Sequence, residues 1–444
     1  MVTEKKLKKI ADKVLLLSKS QETEVLLSIS ENSLTRFANN QIHQNVAWRN
    51  IGVSLRIIDN KRIGVATTNS FDTASLEKVV EKATFLSQLQ KPDEHFVSLP
   101  KPMPIPEVDQ SIEFATEHGM AKSVYTVIKK AKDASLIASG AYSNGADHLA
   151  VANSHGVWAY NQSSSCNLST IVMGESSSGF ASNVSKRNDN IDAEYIAKTA
   201  VSKTIESSDP SEIEPGEYEV IFEPQAVSEM LAFLQWYGPN ARIYHEGASA
   251  FSNKIGNLVF GKNITLIDDP FHKDIFPMPF DYEGVPKKKL TIVENGVLKN
   301  IAYDSYNANR FKMPNTGHAL PAPNTLGPIP LHMYIKPGIS TREKMIKSVK
   351  RGLLVTRLWY VRVLNPKQLN ITGMTRDGTF LIENGTIIKP VKNMRFNQSI
   401  PQALNNTLAI EDKLTPLASF EGELIGLAPT MHIGSWNFTS ATLF

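Results

Sequence analysis

The stretch Leu99–Pro106, LPKPMPIP, sets a proline at every second position: Pro100, Pro102, Pro104 and Pro106. Proline has no amide hydrogen and a fixed φ, so the run predicts a stiff, extended connection rather than a helix or a strand ladder. The chain on its two sides reads alike. Ahead of it, Leu7, Ile10, Ala11, Val14 and Leu17 share one helical face. Strand-like runs follow at EVLLSI (24–29) and LTRFAN (34–39) and, after a longer connection, at GVSLRII (52–58) and RIGVATT (62–68). Asp72 then predicts the N-cap of a helix with Leu76, Val79, Val80, Ala83 and Leu86 as its apolar positions. Beyond the prolines, Phe114, Ala121, Val124, Tyr125 and Ile128 predict a helical face, and strand-like runs HLAVANS, GVWAYNQ, CNLSTIVM and GFASNVS lead to a helix starting near Asp192. RIGVATTNS and SGFASNVS both set a small-residue strand just before a helix, which suggests two copies of one motif.

A second boundary falls at SSDPSEIEPGEY (207–218), rich in Ser, Pro and acid. After it, Asn295-Gly296 and Asn384-Gly385 predict two hairpins, because both central residues of such a turn favour positive φ. Helices are expected near Gln225–Trp236 and Thr341–Arg351. The segment 313–330, with five prolines and no periodicity, is expected to be a functional or disordered loop, and it holds His318. The organisation expected is α+β: a first domain over 1–98, a linker over 99–107, a second domain over 108–208 and a larger β-rich domain over 209–444.

Against 44 Asp and Glu stand 47 Lys and Arg, a net charge of +3, and the basic clusters at Lys5–Lys9 and Pro286–Lys289 are short. A nucleic-acid binder would concentrate a larger excess on one face. Cys166 is the only cysteine, which rules out disulfides within the chain and cysteine-rich zinc sites. The first ten residues carry charge where a signal peptide needs an apolar core, and no run of 18 apolar residues occurs, so a soluble, cytoplasmic protein is expected.

His245-Glu246 is the chain's one His-Glu pair, and His-Glu opens several zinc-peptidase signatures. A helical zinc site needs a second His one turn on, but Ser249 and Ala250 occupy those places and Gly247 weakens a helix there.

A set of longer stretches is informative together: LTRFANNQI, IGVSLRIIDNKRIGVATTN, GEYEVIFEPQAVSEML, GASAFSNKIG, NANRFKMPNTGHAL, HMYIKPG, GLLVTRL and GTFLIENGTIIKPVKNMRF. In this order and spacing the chain resembles the TldD/PmbA family over nearly its whole length. The resemblance implies a barrel-like carboxy-terminal domain. TldD-type members are zinc metallopeptidases whose ligands are two His of a His-Glu-x-x-x-His helix and a late Cys. That helix maps onto AFLQWY, which sets Ala232 and Tyr237 at the ligand positions and Phe233 at the catalytic Glu; no Cys stands around LASFEGELIG (417–426). The pattern resembles the TldE/PmbA type. This implies no cofactor in this chain, zinc in a TldD-type partner of a hollow heterodimer, and a role in enclosing and holding unfolded or short peptides.

Within that frame His318, Arg310 and Tyr303 are the candidates for peptide contact, since the resemblance sets the TGHAL loop near the chamber centre. Phe233, Trp236 and Tyr237 read as core or dimer-contact residues. Cys166 with His148 or His155 reads as a nucleophile only against the simpler reading of a small buried hydrophobe. His332 and His432 sit in strand-like alternation. Two rival readings stand: a homodimeric peptide-binding protein without hydrolysis, and an enzyme with relocated ligands at His245, Glu246 and His318. The family's older association with DNA gyrase finds no support in the charge pattern.

Overall fold

The computed structural model describes residues 3–418 and 425–442; most of LASFEGELIG lies outside them. In the first segment, α1 (Glu4–Leu17) precedes β1 (Glu22–Ala38), β2 (Gln41–Asp59), β3 (Arg62–Thr68) and α2 (Thr73–Leu89). In the second, α3 (Glu117–Asp133) precedes β4 (Ile137–Asn153), β5 (Trp158–Met173), β6 (Ser178–Ser185) and α4 (Ala193–Glu206). The same order of elements thus occurs twice.

The two segments share one sheet. β1 and β4 pair antiparallel from Glu24↔Asn153 to Phe37↔Gly140, giving the order β3-β2-β1-β4-β5-β6. α1 and α2 cover one end of a single face and α3 and α4 the other, each pair over its own apolar cluster. The repetition reaches single atoms. A Cβ on Gly64 of β3 would meet the Ala83 carbonyl at 2.0 Å and the Ser87 nitrogen at 2.5 Å of α2; one on Gly179 of β6 would meet the Ala200 carbonyl at 2.2 Å and the Thr204 nitrogen at 2.7 Å of α4. In both copies the edge strand needs glycine so that a helix backbone can lie against it.

The strands are longer than expected. EVLLSI and LTRFAN are two ends of β1, and the expected connection before GVSLRII is the outer half of β2, joined to β1 through Asn39 and Asn40 at positive φ. HQNVAWRN shows no alternation because most of its residues are exposed on both faces. The Asp72 cap is present, with the side chain accepting from the Ser75 N–H at 2.8 Å. The face expected for α3 is wrong in part: Met120, Val124, Val127, Ile128 and Ala131 are buried, whereas Tyr125 is exposed and Phe114 precedes the Thr116 N-cap. The proline run takes neither helix nor strand and is pinned to the sheet, with the Leu99 N–H on Glu22 and the Pro100 carbonyl on Asn153.

The third region begins with β7 (Gly216–Phe222), α5 (Pro224–Tyr237), α6 (Ala241–His245), β8 (Leu266–Asp268), β9 (Leu290–Glu294), β10 (Val297–Leu298), α7 (Ser305–Phe311), β11 (Met333–Ile335) and α8 (Arg342–Ser348). It continues with β12 (Arg351–Asn365), β13 (Asn370–Glu383), β14 (Thr386–Pro390), β15 (Met394–Ser399), α9 (Ile400–Asn405), β16 (Thr407–Ile410), β17 (Thr415–Ala418), β18 (Ile425–Ala428) and β19 (Met431–Ala441). Five strands close a barrel in the order β12-β7-β19-β15-β13, with β13 returning to β12. Trp436 fills its interior between Phe222 and Phe396, and α5 packs on the same cluster through Ala226, Val227, Met230, Leu231 and Leu234. β8 to β11 form a smaller sheet. Both Asn-Gly turns have the expected positive φ. No described helix is long and apolar enough to cross a membrane.

Charged ties hold the six-stranded sheet to the third region. Arg56 of β2 reaches Glu24 at 2.7 Å and Glu283 at 3.1 Å, all three nearly excluded from water. At the other end, Lys203 of α4 pairs with Glu223, which also holds Arg342, and Arg357 of β12 pairs with Asp377 and lies over the Phe180 ring of β6 at 4.3 Å.

Two outcomes are predicted. Gly179→Ala should cost about 1–3 kcal/mol, because two backbone atoms of α4, with the Thr204 hydroxyl beside them, stand where the methyl must go; an unchanged thermal midpoint would contradict the packing. Burial pushes the Glu24 carboxyl up to about 7 despite the pull of Arg56. An acid raised in this way favours folding when protonated, and its contribution fades as pH rises from its unfolded value through about 7. Arg56→Met should therefore cost about 3–5 kcal/mol at pH 8, where two buried carboxylates lose their cation, and less near pH 5. Denaturant unfolding at both pH values measures this, and equal losses would refute it.

Candidate functional site

α6 is a single short helix opened by Asn240, whose side-chain oxygen accepts from the Arg242 N–H at 3.0 Å while its amide donates to the Leu326 carbonyl at 2.8 Å. The helix delivers His245 against α7. There Nε2 lies 2.9 Å from the Tyr303 hydroxyl and the ring stacks on Phe311, centroids 3.8 Å apart. Burial and the Arg310 guanidinium hold the imidazole below its usual pKa. Glu246 faces Arg310 at 3.6 Å and Arg242 at 3.4 Å. The two adjacent residues thus serve different contacts, and among the described residues no three of His, Cys, Asp and Glu are grouped to hold a metal.

The proline-rich loop 313–330 is packed inward. His318 is fully buried, with Nε2 3.1 Å from Asp268 and Nδ1 2.8 Å from the Thr316 hydroxyl. With both nitrogens engaged, it neither converges with His245 on an ion nor presents an edge to a peptide in this structure. Tyr303 is also buried, and burial pushes its hydroxyl up to about 12. Of the three residues expected to meet a peptide, only Arg310 reaches solvent.

Below the loop lies a polar cluster whose members the sequence shows only apart, Lys287 in the basic run Pro286–Lys289 and His332 in strand-like alternation. Asp268 accepts from His318 and from the His332 N–H at 2.7 Å; burial works to raise its carboxyl, but the His318 bond and charge, with the nearby Lys287, hold it low. Lys287 is buried and its ammonium has no direct hydrogen-bond partner; burial lowers its pKa against the attraction of Asp268 and Asp281. Asp281 accepts from the N–H groups of Glu283, Val285 and Ala319, yet burial and the Glu283 charge push it up to about 7. Burial, then Lys287, brings His332 down to about 3. The DYEG turn (281–284) could have marked it: its Gly284 has φ +78°, and a Cβ there would stand 2.7 Å from Val157.

Beside this cluster a cleft of about 790 Å³ separates the bare face of the sheet from the third region, lined by Ser30, Asn32, Trp48, His148, Tyr282 and His332 among others.

The remaining candidates lie apart. Cys166 is buried in β5, bonded to the Ser185 carbonyl at 3.1 Å, and burial pushes its thiol up to about 12. His148 contacts Tyr160 and His155 contacts Glu22 and Ser98, so neither serves the thiol. His432 faces Glu219 at 3.2 Å. On α5, Phe233 and Tyr237 are half-buried against the barrel core, whereas Trp236 is exposed.

His318→Ala should lower stability by about 1–3 kcal/mol by stripping a donor from buried Asp268. Unfolding in denaturant tests this; unchanged stability would contradict a structural role.

With this geometry in hand, the similarities are informative. Residues 215–440 match the model of the PmbA/TldA metallopeptidase C-terminal domain, residues 23–87 that of domain 1 and residues 104–207 that of the central domain. An uncharacterized protein of Methanocaldococcus jannaschii is 26% identical over 393 residues, covering 84% of this chain and 89% of its own length. A protein named Metalloprotease PmbA homolog in Haemophilus influenzae is 24% identical over 390 residues, covering 84% and 83%. The crystal structure of TldE from Thermococcus kodakarensis superposes with a TM-score of 0.88 at 22% identity, over 98% of this chain and 100% of that one. The chain belongs to the TldD/PmbA metallopeptidase family.

Proposed function

We propose that this chain is the TldE/PmbA-type subunit of a two-chain metallopeptidase, enclosing and holding unfolded or short peptides while a TldD-type partner carries the zinc. The observation that supports this is the donor set of α5. At the positions matching the family's metal helix, Ala232 has no donor atom, Phe233 has no carboxylate to take a proton from water, and Tyr237 offers a phenol packed against the barrel core. Zinc takes thiolate, imidazole and carboxylate ligands, so this helix does not fit the ion. No chemical step is therefore assigned to metal in this chain.

What the chain contributes is enclosure. The cleft between sheet and third region has polar walls from Ser30, Asn32 and Asn161 and an aromatic surface at Trp48 and Tyr282. Such a surface suits an extended backbone, whose amide groups need partners whatever its side chains are. With Cys166 as its one cysteine the chain forms no internal disulfide and needs no oxidising compartment, in keeping with a cytoplasmic role.

The chain alone should leave an unstructured peptide intact with zinc added, and hydrolysis should appear on mixing with a TldD-type chain and stop with a chelator. Peptide assays with each chain separately and together measure this. Chelator-sensitive cleavage by this chain alone would overturn the reading.

A further inference from the structure

Among the described residues that line the cleft of about 790 Å³ there is no Lys, Arg or Glu, and Asp147 of β4 is the one acid. Asp147 stands on the bare face of the six-stranded sheet, opposite Ser30 of β1 on one side and Ser163 of β5 on the other. Two residues back along the same face is Gly145, over which the Asn32 side chain lies: a Cβ on Gly145 would meet the Asn32 Oδ1 at 2.1 Å. Small residues therefore surround the carboxylate on three sides. It is exposed, although the third region packs over Val151 and Ala159 of the same face.

Two further groups of the cleft are acceptors without a donor. Asn161 is 6% exposed and gives its side-chain N–H to the Pro277 carbonyl at 2.9 Å, while its own Oδ1 is buried with no hydrogen-bond partner. The Nδ1 of His332 is likewise buried without a partner. Burial keeps that ring neutral, so one of its two nitrogens accepts. Buried acceptors are nearly always satisfied, and these mark where donors belong. Trp48, 42% exposed, and Tyr282 add aromatic rings to the same walls, and aromatic faces attract cations.

We propose that Asp147 anchors a primary ammonium group in this cleft, the amino terminus of a peptide or the head of one of its lysine side chains. Resting on the peptide-holding role proposed above, this anchor adds a preference that main-chain pairing by itself lacks. An ammonium carries three N–H donors, and the cleft meets them with a carboxylate and two acceptors in need of hydrogens. A carboxylate takes several donors at once, so bonds that Asp147 makes within the chain leave places for a ligand. The sign of the charge agrees. Cations outside the cleft are offset by acids: Lys287 feels the attraction of Asp268 and Asp281, and Lys186, Arg187 and Lys273 share a neighbouring pocket with Asp109 and Asp274.

Fluorescence anisotropy with the full chain and a short unstructured peptide, labelled at its carboxy end and containing one lysine, tests the proposal. Acetylating both the amino terminus and the lysine should weaken binding about tenfold or more, the loss of one charge-assisted hydrogen bond. Acetylating each site separately tells which ammonium is anchored. Asp147→Asn, with Asp147→Ser as a second neutral variant, should weaken the free peptide by the same factor and leave the doubly acetylated one unchanged, with the thermal midpoint preserved. Equal binding of the free and doubly acetylated peptides would overturn the anchor and leave the peptide-holding role standing, as would an ammonium preference that survives both variants. If no peptide binds, butylammonium followed by ligand-observed NMR separates the two claims. Contact that is lost in Asp147→Asn would keep the ammonium site and remove the peptide role, and absence of contact would remove both.

Discussion

The antiparallel pairing of β1 with β4, from Glu24↔Asn153 to Phe37↔Gly140, is the constraint on which the rest of the molecule depends. It converts two helix-and-hairpin units, each with an open strand edge, into one sheet with a covered centre. Because side chains alternate across a strand, the register that turns Val25, Leu27 and Ile29 toward the helices turns Leu26, Ser28 and Ser30 the other way. A slip by one residue would exchange those faces. The second face needs cover, and the third region supplies it: Phe280 packs with Val151 and Ala159, and Gly284 comes down on Val157.

Charges do at this junction what apolar area alone would leave loose. Glu283 accepts from Arg56 of the sheet and from the Ser305 N–H that opens α7, so one carboxylate fixes both the sheet and the helix bearing Arg310. Buried ion pairs contribute little net stability when compared with apolar replacements, but they penalise misplacement heavily because a separated buried charge is costly. The neighbouring Asp281, Lys287, Asp268 and His318 extend the same logic under the proline-rich loop, which explains why a segment without helix or strand holds one packed conformation. The polar residues under the proline-rich loop thus act as structure in this chain, and α5 packs on the barrel core.

Much of this was legible in the sequence wherever the signal is local. Asp72, Asp192 and Thr341 all cap helices as their residue types predict, and both Asn-Gly turns form. The similarity between RIGVATTNS and SGFASNVS has a cause in Gly64 and Gly179, each cleared for a helix backbone. Signals depending on a distant partner were not legible. The outer half of β2 has no burial pattern because little covers it. Tyr125 counted as apolar on α3 but stands on its exposed flank, and His318 read as a candidate for peptide contact because nothing local marks Asp268, fifty residues away, as its partner. The match of AFLQWY to the family's metal helix rests on the resemblance alone, since Ala232, Phe233 and Tyr237 by themselves look like any amphipathic segment.

The central claim is that this chain offers zinc no site. Native mass spectrometry of the purified chain, after exposure to zinc and removal of the excess, tests it most directly by counting metal per chain. The account predicts that no zinc is retained, whether the chain is single or paired. One zinc held per chain would contradict it and return His245, Glu246 and the buried aspartates to consideration as ligands.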